Sequence, residues 1–383
     1  MSNAAKPLPQ KLPKSGRVTR VDMQKLAPEQ ARKGLGAVSN PAGRFETYQT
    51  DPFDDGWFRD EDDLAPSIDL NWHREMARTI ITRNQSPDIS FDRSINPYRG
   101  CEHGCVYCFA RPSHAYLGHS AGRDFERELY FKSNAVELLR KELSSRKYEP
   151  APLALGVNTD AYQPEERRLR LTRALLEVLS EFNHPVTIIT KSGLIRRDID
   201  LLAPMAEKGL ARVALSVTTL DKELARKMEP RAASPSLRLK TIKALSDAGI
   251  PVAVMHAPLI PCLNEAEIEA ILEAAREEGA LNAGFVLLRL PYELKDIFHE
   301  WLISHFPDRA TRIINTLRAM RGGLDYDADW FKRGRGSGEQ ARLISMRFHK
   351  AAHRLGYNLT RSHLRTDLFR PPPKPGNQMA FDL

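Results

Sequence analysis

Long apolar runs are missing from this chain. No stretch approaches the roughly 18–20 apolar residues that a membrane-spanning helix needs, so no such helix is expected. The first residues, MSNAAKPLPQKLPKSGR, are basic with no apolar segment behind them, and do not read as a secretory signal. The expected compartment is therefore the reducing cytoplasm. Cysteine is scarce, with four in 383 residues. That excludes a disulfide-stapled scaffold, and in a reducing compartment clustered cysteines read better as metal ligands. Only 8% of the residues are aromatic, yet 42% are hydrophobic, enough for a sizeable core.

The formal net charge of +8 is unevenly spread. Residues 1–44 carry nine Lys/Arg against Asp22 and Glu29, and residues 301–383 carry fifteen against seven acids. The stretch between is net acidic, mainly through 51–63, where seven acids face Arg59 alone. Basic ends around a near-neutral centre suit a polyanion such as DNA or RNA, because each neutralised phosphate releases counterions. Basic tails that serve only solubility are the plainer alternative.

Residues 1–50 are rich in Pro, Gly, Lys, Ser and Ala without a sustained period, and are expected to form a disordered basic arm. An acidic and aromatic linker follows over 51–84. From 85 to 292, apolar runs at 151–159, 185–193, 211–220, 251–261 and 283–290 alternate with helical patterns at 164–182, 198–209, 236–249 and 264–279. Strand and helix repeat about six times with short connections, which predicts an α/β fold of parallel βαβ units. A doubly wound sheet and a partial (βα)6 TIM-like barrel both fit. In either, ligands bind beyond the C-terminal ends of the strands. A helical basic extension is expected over 293–370, interrupted by FKRGRGSG (331–338), and a Pro-rich tail over 371–383.

Three of the four cysteines fall in INPYRGCEHGCVYCFAR (95–111), at Cys101, Cys105 and Cys108. Three thiolates this close could hold three irons of a [4Fe–4S] cluster, leaving the fourth iron open to a small chelating ligand. The rival is a zinc site, which wants a fourth ligand, with His103 or the distant Cys262 as candidates.

CEHGCVYC resembles the CxxxCxΦC signature of the radical S-adenosylmethionine (SAM) superfamily, with Tyr107 as the aromatic. That superfamily uses a partial (βα)6 barrel, in agreement with the alternation. More narrowly, NPYRGCEHGCVYCFARPSH, NTDAYQPEE and APLIPCLNE resemble the branch related to spore photoproduct lyase, described as DNA-repair-photolyase-like. The resemblance spans about 90–290. It implies a [4Fe–4S] cluster on Cys101, Cys105 and Cys108, with SAM chelated at the open iron. It implies an external electron donor such as flavodoxin or ferredoxin, reductive cleavage of SAM to a 5′-deoxyadenosyl radical, and hydrogen abstraction from a substrate.

The resemblance also implies roles for single residues. Tyr107 would lie near the adenine. Thr159 and Asp160 follow the second strand, where relatives bind the SAM amino group, although NTDAYQP lacks the usual Gly-Gly-Glu-like segment. Lys191 would neutralise the SAM carboxylate, Ser216 would contact the ribose or carboxylate, and Arg231 would contact SAM or a substrate phosphate. Cys262 would return a hydrogen atom to a product radical; a small packed hydrophobe is the alternative. His256 is expected in the core. His349 and His353, four apart on a helix, lack a third ligand. QMAFDL (378–383) resembles the peptide by which repair proteins dock on the sliding clamp. No further cysteine run suggests a second cluster. The expected function is a radical SAM enzyme acting on a DNA lesion or modified base. The alternatives are radical modification of RNA, protein or a small metabolite, and a non-catalytic, metal-stabilised nucleic-acid-binding protein.

Overall fold

The alternation folds as a curved parallel sheet wrapped by helices. The structure, a computed structural model, describes residues 34–45, 69–359 and 363–372. Its strands are β1 (Asn71–Glu75), β2 (Ile81–Arg83), β3 (Arg93–Ile95), β4 (Tyr98–Arg99), β5 (Glu128–Lys132), β6 (Leu153–Leu155), β7 (Val186–Thr190), β8 (Ala211–Ser216), β9 (Val252–Leu259) and β10 (Asn282–Leu287). The main sheet has the order β10-β9-β8-β7-β6-β3-β2. Its six strands from β3 to β10 run parallel, as in a partial (βα)6 barrel, and β2 adds an antiparallel edge. A second sheet, β1-β5-β4, stands beside it.

Side-chain size decides which face of the main sheet is closed. Val186, Ile188, Val213, Leu215, Val252 and Val254 are buried in one core with the helical residues Leu175, Leu202, Leu245 and Ile271. The alternate positions point the other way, because successive strand side chains face opposite sides. There Thr187, Ile189, Ala253, Met255 and Gly284 are only half-buried. Their paired neighbours Ser94, Ala154 and Ala214 are small. A closed barrel fills this layer with bulky branched residues. Here the layer is mostly small or polar, with Ile189 and Met255 as its larger members, and several of its positions are less completely buried than the helix-facing layer.

The helices are α1 (Asp124–Arg127), α2 (Ala135–Leu143), α3 (Glu166–Leu169), α4 (Leu171–Glu181), α5 (Ile199–Glu207), α6 (Lys222–Met228), α7 (Pro235–Asp247), α8 (Ile268–Glu277), α9 (Leu294–His305), α10 (Pro307–Ala319) and α11 (Gly338–Arg354). The single helix expected over 164–182 is broken at Arg170, which takes φ 51°. The cause is the buried Glu166 carboxylate, which accepts the amides of Thr172 (2.9 Å) and Arg173 (3.3 Å) and so caps α4 afresh.

Several expected boundaries move. Residues 34–45, inside the expected disordered arm, have a defined path with Ala37 and Val38 buried in a core. The expected linker over 51–84 contains β1 and β2. The expected C-terminal helices are present and pack onto the rest of the fold. Phe348 of α11 meets Phe285 of β10 with ring centroids 4.7 Å apart, so α11 serves as the outer helix of the last strand. Helices α9 and α10 share a separate core with Cys105, Val106 and Tyr107, built on Phe298, Trp301 and Ile313. They roof the cysteine loop. The remaining residues of 1–50, most of the acidic linker and the QMAFDL peptide lie outside the described residues. Among the described residues no helix is long and apolar enough to cross a membrane.

Part of the basic excess of the C-terminal region is paired within the protein. Arg318 pairs with Asp325, Arg347 with Glu269, Arg354 with Glu273 and Arg365 with Asp367. Arg333 reaches back to Asp88 (2.6 Å), while Gly334 accepts the Leu287 amide (2.9 Å). The loop around 333 thereby ties the β10 edge of the open sheet to the turn after β2 at the other edge. These five guanidiniums are paired with carboxylates within the fold, so part of the region's positive charge is already neutralised.

Candidate active site

Beyond Ile95 the chain leaves the barrel mouth and enters the loop that carries the cysteines. Gly104 takes φ +66° there, and a Cβ on it would lie 2.6 Å from the Glu126 carboxylate. Backbone and contact both demand glycine. The loop turns through hydrogen bonds from the Gly104 amide to the Cys101 carbonyl and from the Cys108 amide to the Cys105 carbonyl, each 3.2 Å. Cys101 and Cys105 are buried and Cys108 is half-buried; all three are free thiols.

Two arginines hold this loop from behind. Arg111 is wholly buried and donates to the carbonyls of Cys105 (2.8 Å), Gly122 (2.7 Å) and Gly104 (3.1 Å), and pairs with Glu126. Glu126 also accepts the amides of Gly36 (3.0 Å) and Ala37 (2.9 Å). Gly36 approaches so closely that a Cβ would lie 1.8 Å from the Gly104 carbonyl oxygen. Arg231 donates to the carbonyls of Glu102 and Glu126 (3.0 Å to the latter) and so grips the loop backbone, while its Nη1 has no acceptor.

Burial pushes the Cys101 thiol well up, with Asp160 and the two other cysteines adding to it. Burial also pushes Cys105 up to about 12, opposed by Lys191 and assisted by Glu229 and Cys108. Cys108 rises by burial against the amides of Ala110 and Arg111, and the Asp160 amide is directed at Cys101. Thiols in such a place ionise when a bound cation neutralises them, and amides aimed at sulfur are the usual outer partners of thiolate ligands. Among the described residues no three His, Cys, Asp or Glu side chains converge to hold a single metal ion. His103 turns its Nδ1 to Asp160 (3.4 Å), and Cys262 turns its sulfur to the Thr316 hydroxyl (3.7 Å). The zinc site with either as fourth ligand is therefore not formed. A cluster takes one iron per thiolate and needs no common point, so the donor set fits it.

The other expected site residues are distributed as follows. Tyr107 is buried and donates its hydroxyl to Glu229, which also accepts from Thr218 (2.7 Å) and pairs with Arg238. Arg238 donates to the Ser216 carbonyl (3.0 Å), so the loop aromatic and the end of β8 share one buried charge pair. The Lys191 ammonium lies 5.8 Å from the centre of the Tyr107 ring. Burial would draw Lys191 down, but Cys105 and Glu229 leave it raised, hence charged. Thr159 donates to the Tyr98 carbonyl (2.9 Å). Asp160 accepts from the Thr190 hydroxyl (2.7 Å) and from the amides of Lys191 (2.8 Å) and Tyr162 (2.9 Å). Burial alone would raise Asp160, yet His103 and these donors hold it well below the carboxylate range. Its oxygens thereby link the end of β6 to the end of β7 and to His103. His256 is a core residue as expected, drawn down to about 4 by burial. His349 rests against Phe285 and Phe348.

Sequence reasoning missed Gly36–Val38, Arg111, Glu126, Glu229 and Arg238. One signal was available. Arg238 sits on the stripe of α7 that buries Thr241, Ile242 and Leu245, and a charge on an apolar stripe requires a buried partner.

Residues 95–275 match the family model described as the radical SAM superfamily. An uncharacterized protein of Mycobacterium tuberculosis is 34% identical over 254 residues, covering 65% of this chain and 74% of that protein. An uncharacterized protein of Methanocaldococcus jannaschii is 28% identical over 173 residues, covering 45% of this chain and 62% of its own. Among solved structures, spore photoproduct lyase complexed with dinucleoside spore photoproduct aligns with a TM-score of 0.53 at 16% identity, over 75% of this chain and 80% of that one. The chain belongs to the radical SAM superfamily. It is an enzyme of radical chemistry, and its cofactors are a [4Fe–4S] cluster and SAM. Such a cluster supplies the electron that cleaves SAM, and it is itself reduced by an external donor.

Proposed function

We propose that Cys101, Cys105 and Cys108 hold the cluster, that Lys191 binds the SAM carboxylate, and that the resulting radical acts on a lesion or modified base in DNA. The observation that carries the reading is three free thiols on one loop, two buried and one half-buried, with the raised Lys191 ammonium beside the loop aromatic at the end of β7. Two further features support a nucleic-acid substrate. The sheet face away from the helices carries mostly small or polar side chains, several of them only half-buried. Exposed rings border the cysteine loop: Phe109 follows Cys108, and the Arg44 guanidinium lies over Tyr116 (5.2 Å) and Tyr292 (4.2 Å). Exposed aromatics interleaved with arginine are the usual platform for unpaired bases. The spore photoproduct lyase structures supply the analogy of lesion repair on a similar fold.

Lys191→Gln removes a charge-assisted hydrogen bond, so SAM affinity should fall by roughly 10–100-fold. Anaerobic calorimetry with SAM on the reconstituted enzyme checks this, and an unchanged affinity takes Lys191 out of the site. The substrate is tested by incubating the reduced enzyme and SAM with irradiated or unirradiated DNA, then measuring 5′-deoxyadenosine and altered nucleosides by mass spectrometry. Several-fold more 5′-deoxyadenosine with irradiated DNA, and a matching loss of lesion, are expected. Equal turnover with and without every DNA tried would refute the DNA reading.

A further inference from the structure

Two arginines stand at the C-terminal end of β10 with no acid paired to either. Arg289 follows β10, and its guanidinium lies 4.8 Å from the centre of the Phe109 ring, next to Cys108 in the chain. Arg321 follows α10, is 2% exposed, and donates one nitrogen to the Leu288 carbonyl. Its guanidinium also lies 5.6 Å from the Tyr326 ring. Leu288, whose carbonyl Arg321 holds, immediately precedes Arg289, so the two cations meet the chain at adjoining positions; burial draws Arg321 down and Arg289 adds to it. Asp327 is turned to the Asp329 amide (2.9 Å). Neither arginine has an ion-pair partner among the described residues. Each keeps a buried N–H without an acceptor, Nε of Arg289 and Nη1 of Arg321.

Three other guanidiniums, two buried and one half-buried, are paired with acids, while Arg231, near Glu126, also keeps one buried N–H without an acceptor. Arg111 is paired with Glu126, Arg238 with Glu229 and Arg333 with Asp88. Orphaned donors on two neighbouring cations are unfavourable on two counts, desolvation and repulsion, and an oxyanion between them relieves both. Guanidinium suits such an anion because its planar fork offers paired donors to phosphate oxygens. Phe109, 37% exposed, adds an apolar face beside the cations.

We propose that Arg289 and Arg321 form a phosphate-binding site at the end of β10, next to the cysteine loop, which seats one phosphate of the substrate while Phe109 supports the adjoining base. Assigning that phosphate to a polynucleotide backbone rests on the DNA reading above; a nucleotide or free phosphate ester is the other source of the same chemistry. The site positions the substrate against the cofactors and takes no part in the radical step.

The test uses the full chain reconstituted with its cluster and a short labelled DNA single strand, followed by fluorescence anisotropy across salt concentrations. Arg289→Gln should weaken binding about tenfold and reduce the slope of log K against log salt by about 1. Arg289→Lys, which keeps the charge, should restore the slope. Wild-type affinity and slope in Arg289→Gln would overturn the site. If the wild-type protein binds no strand, the polynucleotide source fails by itself, and inorganic phosphate decides the site. A phosphate-dependent rise in Tm in the wild type, absent in Arg289→Gln, supports a small phosphate ester as the source. An equal response, or none in either protein, overturns it.

Discussion

A Glu126→Gln variant should melt about 10 °C below the wild-type chain. Glu126 and Arg111 are both fully buried, and Glu126 also receives the Gly36 and Ala37 amides. Removing one partner of a buried pair leaves an uncompensated charge, which costs about 3–5 kcal/mol. For a chain of this size that is a large shift in Tm. The damage should spread to function, because Arg111 is what holds the carbonyls of Gly104 and Cys105. The variant should therefore retain less iron after anaerobic reconstitution than the wild type. An exposed pair supplies the contrast. Lys243 and Asp247 lie 3.3 Å apart on the surface of α7, and Lys243→Gln should leave Tm within about 1 °C. Calorimetric scans of both variants check the difference. Equal melting of Glu126→Gln and wild type would mean that this buried pair does not hold the loop.

A Cys105→Ala variant should lose the cluster altogether. Cys105 is the middle thiol, and its backbone carbonyl is the acceptor of the shortest of the Arg111 bonds to the loop turn itself. Alanine keeps that carbonyl and most of the packing, so the fold should survive while the ligand is gone. Loss of a supporting residue around a metal typically costs 10–100-fold in activity, so loss of a ligand should exceed about 100-fold. Iron content by absorbance and 5′-deoxyadenosine by chromatography check the two consequences separately. A folded Cys105→Ala protein with wild-type iron and turnover would exclude Cys105 as a ligand. Cys262→Ala should behave differently, because its sulfur is against Thr316, and cluster content should be unchanged.

Much of the fold was legible because its signals are local. The Val/Ile/Leu runs of β7, β8 and β9 are continuous enough to read as parallel strands covered on both faces, and the turn residues between them set the period. The cysteine loop was legible for the same reason, since all three thiols and Tyr107 lie within eight residues. What escaped was long-range pairing. The contact of Gly36 with Gly104 joins segments with no shared pattern, and nothing near Glu126 announces Arg111 as its partner. The pairing of charges in the C-terminal region was not legible either: the acids that meet Arg333, Arg347 and Arg354 lie far away in the chain, and only the tertiary structure brings them together. Arg170 illustrates a local override, where one buried carboxylate stops a helix that periodicity would continue.

The central claim is that three thiolates on one loop hold a single [4Fe–4S] cluster that cleaves SAM. Anaerobic reconstitution with iron and sulfide, reduction, and electron paramagnetic resonance with and without SAM test it most directly. The account predicts about four irons per chain, a reduced-cluster signal that changes when SAM is added, and 5′-deoxyadenosine as a product. A protein that takes up zinc in place of iron, or whose cluster signal ignores SAM and yields no 5′-deoxyadenosine, would contradict it.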